Sequence, residues 1–363
     1  MATHPSQPLQ FPKPKKAFIR RFAPDHSQRA RHIVQGLFLL LNGWLGLQFY
    51  LWTRYFERGG TGLLVSRPAG VEGWLPIAGL MNTKYFLLTG HVPQIHPAAM
   101  FLFIGFILMS LLMKKAFCSW LCPVGTFSEF LWKLGRRTGR NLRLPRWLDI
   151  PLRGLKYLLL GLFVAVISVM SAAALEDFMA TPYGLVADVK MLNFFRDIGI
   201  TAAAVIGLLM LLSTLVQNFW CRYLCPYGAI MGLASLLSPV KIRRDQEACI
   251  DCGKCAQACP AGIQVEKLVQ IRTVECTGCM ECVAVCSTQD ALQFALPPRR
   301  ADSASERWRR RVITPLAVCA VLAYIFFGVV LFARATNHWQ TNLPQSVYKK
   351  LVPRANQLSQ PGM

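Results

Sequence analysis

The sequence predicts an α-helical membrane protein with about five transmembrane helices and an inserted, small, two-cluster ferredoxin-like α+β domain. Three observations lead there. Five apolar stretches each approach the roughly 20 residues that a hydrocarbon core of about 30 Å demands. Only 16% of the 363 residues are charged and 53% are hydrophobic, with mean hydropathy +0.36, against about 25% charged in soluble domains. A polar stretch between the fourth and fifth apolar runs holds eight of the 13 cysteines.

The elements follow in chain order. A basic arm, 1–32, carries seven Lys or Arg and no small-residue cleavage pattern. The first apolar run, 33–53, is too long for a signal-peptide core, which argues against secretion. Further spans are expected at 97–117, 154–175, 198–219 and 312–333. The stretch 60–80 is broken by Pro68, Glu72 and Pro76 and is expected to be interfacial or re-entrant. The domains are then the arm 1–32, a four-span membrane domain 33–240, a ferredoxin-like domain 241–298, a basic linker and fifth span 299–333, and a tail 334–363.

The net charge of +22 has a topological reading. Lys and Arg number nine in 114–153 and thirteen in 220–311, but four in 54–96, two in 176–197 and four in 334–363. Rich and poor segments alternate as the positive-inside rule expects. That places the N-terminus and the inserted domain in the cytoplasm and the tail in the periplasm of a bacterial inner membrane. Basic residues spread over three loops fit anionic lipid headgroups better than nucleic acid, which is not expected as a partner.

The cysteines carry the chemistry. CIDCGKCAQACP starts at Cys249 and CTGCMECVAVC at Cys276; both read C-x2-C-x2-C-x3-C, offset by 27 residues. This is the bacterial two-cluster ferredoxin pattern, in which the fourth cysteine of each run ligates the other cluster. It assigns Cys249, Cys252, Cys255 and Cys286 to one [4Fe–4S] cluster, and Cys276, Cys279, Cys282 and Cys259 to a second. Zinc motifs do not use two tandem four-cysteine runs of this register, and a reducing cytoplasm disfavours disulfides. The second run ends Cys286-Ser287 where the first ends Cys259-Pro260.

An internal repeat holds the next four cysteines. AFCSWLCPVG and FWCRYLCPYG close two apolar runs at an offset of 103 residues. Cys118 and Cys122, and Cys221 and Cys225, are spaced for one helical face, and Pro123 and Pro226 should stop each helix at the second cysteine. Repeats of this kind imply facing half-sites. The pairs are a candidate for a further iron–sulfur cluster or a soft metal such as copper(I); reduced thiols used as packing groups are the alternative. Cys319, alone in the fifth span, is expected to be a packing residue.

Other features carry less. No His lies centrally in a span, so an intramembrane bis-His haem is not expected. His91 and His96 read as interfacial polar residues, and Glu176 and Asp177 as a solvated helix end. No nucleotide-binding pattern opens a helix.

These motifs in this order, over about residues 97–296, resemble the NapH/NosR/CcoG group of membrane-bound polyferredoxins. NosR-type members add an N-terminal periplasmic flavin-binding domain and CcoG-type members an immunoglobulin-like periplasmic domain. The short arm and tail here leave room for neither, so a short form of the YccM/NapH kind is expected. The resemblance implies quinol- or membrane-linked electron transfer, with the twelve motif cysteines carried over as cluster ligands. The expected function is an electron-transfer component of an oxidoreductase system, relaying electrons between a quinone pool or membrane partner and a redox partner. The tail would face a periplasmic oxidoreductase. A metal reductase, for example of copper, or an assembly factor for a respiratory metalloenzyme is the alternative.

Overall fold

The computed structural model describes residues 20–21, 25–139, 142, 144–297 and 311–359. Much of the basic arm and linker therefore lies outside the described residues. Every apolar run becomes a helix. The first is α1 (Ser27–Glu57), followed by a 3-10 turn at Ala69–Trp74 and α2 (Pro76–Thr89). The stretch 60–80 is thus two things, because Pro76 supplies the fixed φ suited to a first helical turn, and its end belongs to α2. α3 (Pro97–Met113), α4 (Pro123–Arg137), α5 (Arg146–Val169), α6 (Ala172–Ala180), α7 (Pro182–Leu185), α8 (Ala187–Arg196), α9 (Ile200–Leu215) and α10 (Pro226–Ala234) complete the membrane part before the insert.

Among the described residues, three helices are long and apolar enough to cross a membrane: α1, the Trp147–Val169 part of α5, and Pro315–Ala335. α3 and α9 have 17 and 16 residues, shorter than the runs that predict them. α8 and α9 qualify only as a pair, bent by 81°. Both short helices end early because the cysteine motifs take over the last residues of each run. Leu40, Trp44, Val169, Ile200 and Tyr324 are among the large side chains left exposed, as lipid-facing positions require.

The repeats pack reciprocally. α4 lies against α9, whereas α10 lies against α3 and α5. The first contact is so close that a β-carbon on Gly135 would sit 2.0 Å from the Thr214 carbonyl oxygen.

In the insert, β1 (Lys241–Arg244) pairs antiparallel with β2 (Leu292–Ala295), Lys241 opposite Ala295 and Arg244 opposite Leu292. This short sheet joins the two ends of the insert. The cysteine loops between the strands lead into α11 (Lys254–Ala258) and α12 (Glu281–Ala284). Beyond lie α13 (Pro315–Ala335) and α14 (Gln345–Leu351).

α1 connects opposite ends of the molecule. At its start Gln28 Nε2 donates to the Cys279 carbonyl at 2.9 Å, and Arg31 reaches Glu281 at 2.8 Å. At its end Trp52 and Phe56 pack on Tyr348 of α14, with ring centroids 5.0 and 5.9 Å apart. At 1.5 Å per residue its 31 residues span about 46 Å.

Candidate metal centre

Each C-x3-C-P motif folds as a π-helical turn, Phe117–Leu121 and Trp220–Leu224. The N–H of Cys122 bonds the Phe117 carbonyl at 2.9 Å and that of Cys225 the Trp220 carbonyl at 3.0 Å. These are i→i+5 bonds, so the cysteine pairs do not ride an α-helical face. Single π turns concentrate at functional sites. Pro123 and Pro226 stop each turn: Cys122 and Cys225 take extended ψ values of 118° and 105° and cap the helices that follow. Cys225 Sγ accepts from the Gly228 N–H at 3.3 Å.

The two turns meet. Cys118 lies within electrostatic reach of Cys122 and Cys225, and Cys221 within reach of all three. Four sulfurs from two repeats converge, ringed by Tyr227, Phe106 and Phe117; the last two rings stack at 3.9 Å. Gly125 and Gly228 make this possible. A β-carbon on Gly125 would lie 2.2 Å from the Cys118 carbonyl oxygen, and one on Gly228 3.6 Å from Cys225 Sγ.

The insert repeats its own loop. Asp251 and Gly253 in the first run, and Gly278 and Met280 in the second, all have φ between 55° and 72°. The left-handed residues fall at the same two places in C-x-x-C-x-x-C. Gly suits them and Asp tolerates them; Met280 is held there against its preference. Such backbone wraps a compact group between its cysteines. Cys249, Cys252, Cys255 and Cys286 line one hollow. Cys282 lies within electrostatic reach of Cys279, Cys259 and Cys276. The cross-over of the fourth cysteines fits this grouping. Burial pushes the Cys255 and Cys279 thiols up to about 11, so a bound metal would be needed to hold them as thiolates at neutral pH. Two sets of four soft donors around tight loops fit [4Fe–4S] clusters.

The second loop docks on the first π turn. Ser119 Oγ donates to the Thr277 carbonyl at 2.7 Å, and Trp120 Nε1 to the Gly278 carbonyl at 3.2 Å. Cys259, Cys276, Cys279 and Cys282 are buried, while Cys249, Cys255 and Cys286 are half-buried and Cys252 is exposed. The three sets thus form a row in which the Cys276 set, docked on the first π turn, is the buried one, while Cys118, Cys122, Cys221 and Cys225 are half-buried. Beside the four membrane-end cysteines, a cavity of about 1030 Å³ runs past Phe38, Phe103 and Phe326 toward Arg67 and Trp339.

His96 is not interfacial. It is fully buried, with Nδ1 3.2 Å from Glu72 Oε1 and Nε2 2.9 Å from the Gly184 carbonyl. That carbonyl only accepts, so Nε2 carries a proton. Arg67 joins Glu72 and Asp188 at 2.9 and 2.6 Å. Asp188 is buried with them. Pro68, Glu72 and Pro76 mark this polar knot in the sequence, because a charge in an otherwise apolar stretch needs a partner. His91, Glu176 and Asp177 are exposed as expected, although Tyr85 donates to Glu176 at 3.2 Å. Cys319 packs on the core around α13.

Sequence reasoning missed a buried ion pair. Lys156 Nζ holds both oxygens of Glu275 at 2.7 and 2.8 Å, next to Cys276. The signal was present: Lys156 is a lone charge inside an apolar run.

The 4Fe–4S binding domain model matches twice, at residues 95–141 and 198–245, and the 4Fe–4S dicluster domain model matches residues 241–287. The chain is 50% identical over 326 residues to "Putative electron transport protein YccM" of Escherichia coli, covering 90% of each chain. It is 26% identical over 221 residues to the ferredoxin-type protein NapH of Escherichia coli, covering 59% of this chain and 73% of NapH. To the methylamine utilization ferredoxin-type protein MauN of Methylorubrum extorquens it is 30% identical over 194 residues, covering 52% and 62%. No solved structure matches the chain.

Proposed function

Because this chain belongs to the YccM/NapH family of membrane-bound 4Fe–4S ferredoxin-type electron-transfer proteins, we propose that it relays electrons between the bilayer and an aqueous redox partner through three cysteine-held centres. The observation that carries this reading is the docking of the buried Cys276 loop on the first C-x3-C-P turn, with the more exposed Cys249 set beyond it. A [4Fe–4S] cluster supplies one-electron transfer at a potential tuned by charge, hydrogen bonds and exposure. The protein's part is to fix the order of the sites.

In this reading Cys249, Cys252, Cys255 and Cys286 hold the outermost cluster, and Cys259, Cys276, Cys279 and Cys282 the middle one. Cys118, Cys122, Cys221 and Cys225 hold a third at the membrane end. The double match of a 4Fe–4S binding domain model to the two repeats supports a cluster there over a copper site. The apolar cavity beside that third set has the size and lining that a quinone taken from the bilayer requires. The inserted domain, 241–298, faces the cytoplasm of a bacterial inner membrane and the tail, 334–363, faces the periplasm. An oxidoreductase on either side is the partner.

Two variants test it in the purified, iron-loaded protein. Cys122→Ser and Cys225→Ser should each remove one cubane's iron and sulfide, and end cluster reduction by a short-chain quinol. The two ferredoxin signals should survive in electron paramagnetic resonance. Unchanged iron and electron flow would mean that these cysteines are packing groups. Loss of copper(II) reduction alone would favour a metal reductase.

A further inference from the structure

We infer that the adjacent lysines Lys114 and Lys115 supply one buried counter-charge to each of two neighbouring redox centres, Lys114 to the cluster of Cys276 and Lys115 to the four membrane-end cysteines. The inference rests on the ligand assignment proposed above. Its basis is geometric. Lys114 and Lys115 are 0% and 4% exposed. Among the described residues, neither makes an ion pair with a carboxylate within 4.0 Å. Lone ammonium groups so deep in a protein are unfavourable unless something anionic faces them.

The backbone separates the two side chains. Lys114 sits in the left-handed region at φ 60°, just past the end of α3. Its Nζ donates to the Thr273 carbonyl at 3.4 Å, three residues from Cys276, and its stem passes Gly278. The Cys276 sulfur, anionic only as a cluster ligand, lies within its electrostatic reach. Lys115 turns the other way. A β-carbon on Gly228 would lie 3.4 Å from its Nζ and 3.6 Å from Cys225 Sγ, so ammonium and sulfur flank the same small space. Cys118, Cys225 and Cys221 lie within its electrostatic reach, as does Glu275.

Two further charges face this region. Glu275, paired on its other side with Lys156, is next to Cys276 in the chain and within electrostatic reach of Lys115, and Lys241 flanks Lys114. The second repeat has Gln217 and Asn218 where the first has the lysines, so one lysine pair serves both halves. A cluster held by four thiolates is anionic and gains negative charge on reduction. A fixed cation beside it favours the reduced form and raises the potential. Lys115 also lies within electrostatic reach of Cys276, and Arg31 within reach of Cys279, so each lysine acts mainly, not solely, on the centre it faces.

Redox titration of the full-length, cluster-loaded protein in detergent, followed by electron paramagnetic resonance, tests this. A Cys122→Ser sample identifies which signal belongs to the membrane end. Lys115→Met should move the membrane-end midpoint to more negative potential and the Cys276 cluster less. Lys114→Met should do the reverse, and Lys115→Arg should leave both near the wild-type values. Glu275→Gln, which removes an anion, should move both to more positive potential. That variant gives the reading if either methionine variant fails to load iron. The same cluster shifting the more in both methionine variants, or no shift in any variant, would overturn the inference. So would a wild-type spectrum with only two clusters and no change in the Cys122→Ser sample; that outcome would also remove the ligand assignment, whereas three clusters with unmoved potentials would remove only the lysine role.

Discussion

At the scale of single residues, the site is set by where a side chain is not allowed. Gly125 and Gly228 both occupy the fifth place of L-C-P-x-G, and each clears space for its own cysteine pair. The clearance at Gly125 is the tighter, because the atom in the way is backbone. Gly125→Ala must push the Cys118 carbonyl aside from 2.2 Å, with an overpacking cost of about 1–3 kcal/mol. The expected result is loss of the membrane-end iron while the ferredoxin signals stay. Gly36→Ala, in α1 with nothing within 4 Å of its new β-carbon, is the control and should leave iron unchanged. Equal iron in both variants, measured with acid-labile sulfide, would show that the turn tolerates the extra carbon. The motif glycines were visible in the sequence, but the carbonyl that demands one of them was not. The left-handed Met280 was equally hidden, since Met has no preference for that conformation.

At the scale of elements, helix stops were legible and helix types were not. Pro123 and Pro226 end the cysteine turns as their chemistry requires. The spacing of Cys118 and Cys122 fits an α and a π turn alike, so the π geometry is not legible in the sequence. The burial of His96 was hidden for a related reason: its partners Arg67, Glu72 and Asp188 come from distant stretches. Another long-range contact holds the start of α1. Arg31, 1% exposed, bonds Glu129 of α4 at 2.6 Å and Glu281 of α12 at 2.8 Å. Burial works against the charge of Glu129, but Arg31 and Lys133 hold its pKa down to about 2. Glu281 moves the other way, because burial outweighs Arg31 there; the acid response therefore rests on Glu129. A carboxyl lowered from about 4.3 in the unfolded chain contributes stability above that pH and loses it as the pH falls toward 2. The contribution is on the order of 2–3 kcal/mol. Thermal unfolding in detergent should show the melting temperature dropping across that window in the wild type. In Glu129→Gln it should start lower at neutral pH and change less on acidification. Parallel curves for the two proteins would place the acid sensitivity elsewhere.

At the scale of the whole molecule, charge and hydropathy had already separated a membrane part from a cysteine-rich insert, and the structure adds which ends they occupy. The insert touches the start of α1 through Gln28 and Arg31, and the tail touches its end through Tyr348. α13 repeats the relation. It begins just past Val312, which bridges to Ala295 beside the insert, and ends near Trp339 on the side of the tail. Two helices long enough to cross a membrane thus run between insert and tail. If they cross, the two must lie in different compartments. In the reading proposed above, the lysine and arginine bias then puts the insert on the cytoplasmic side. Alkaline phosphatase, active only outside, should report activity when fused after residue 359 and none when fused after residue 246; a cytoplasm-active reporter should give the reverse. Both junctions reporting one compartment would mean that α1 and α13 do not span, and the row of cysteine sets would then have no membrane end from which to draw electrons.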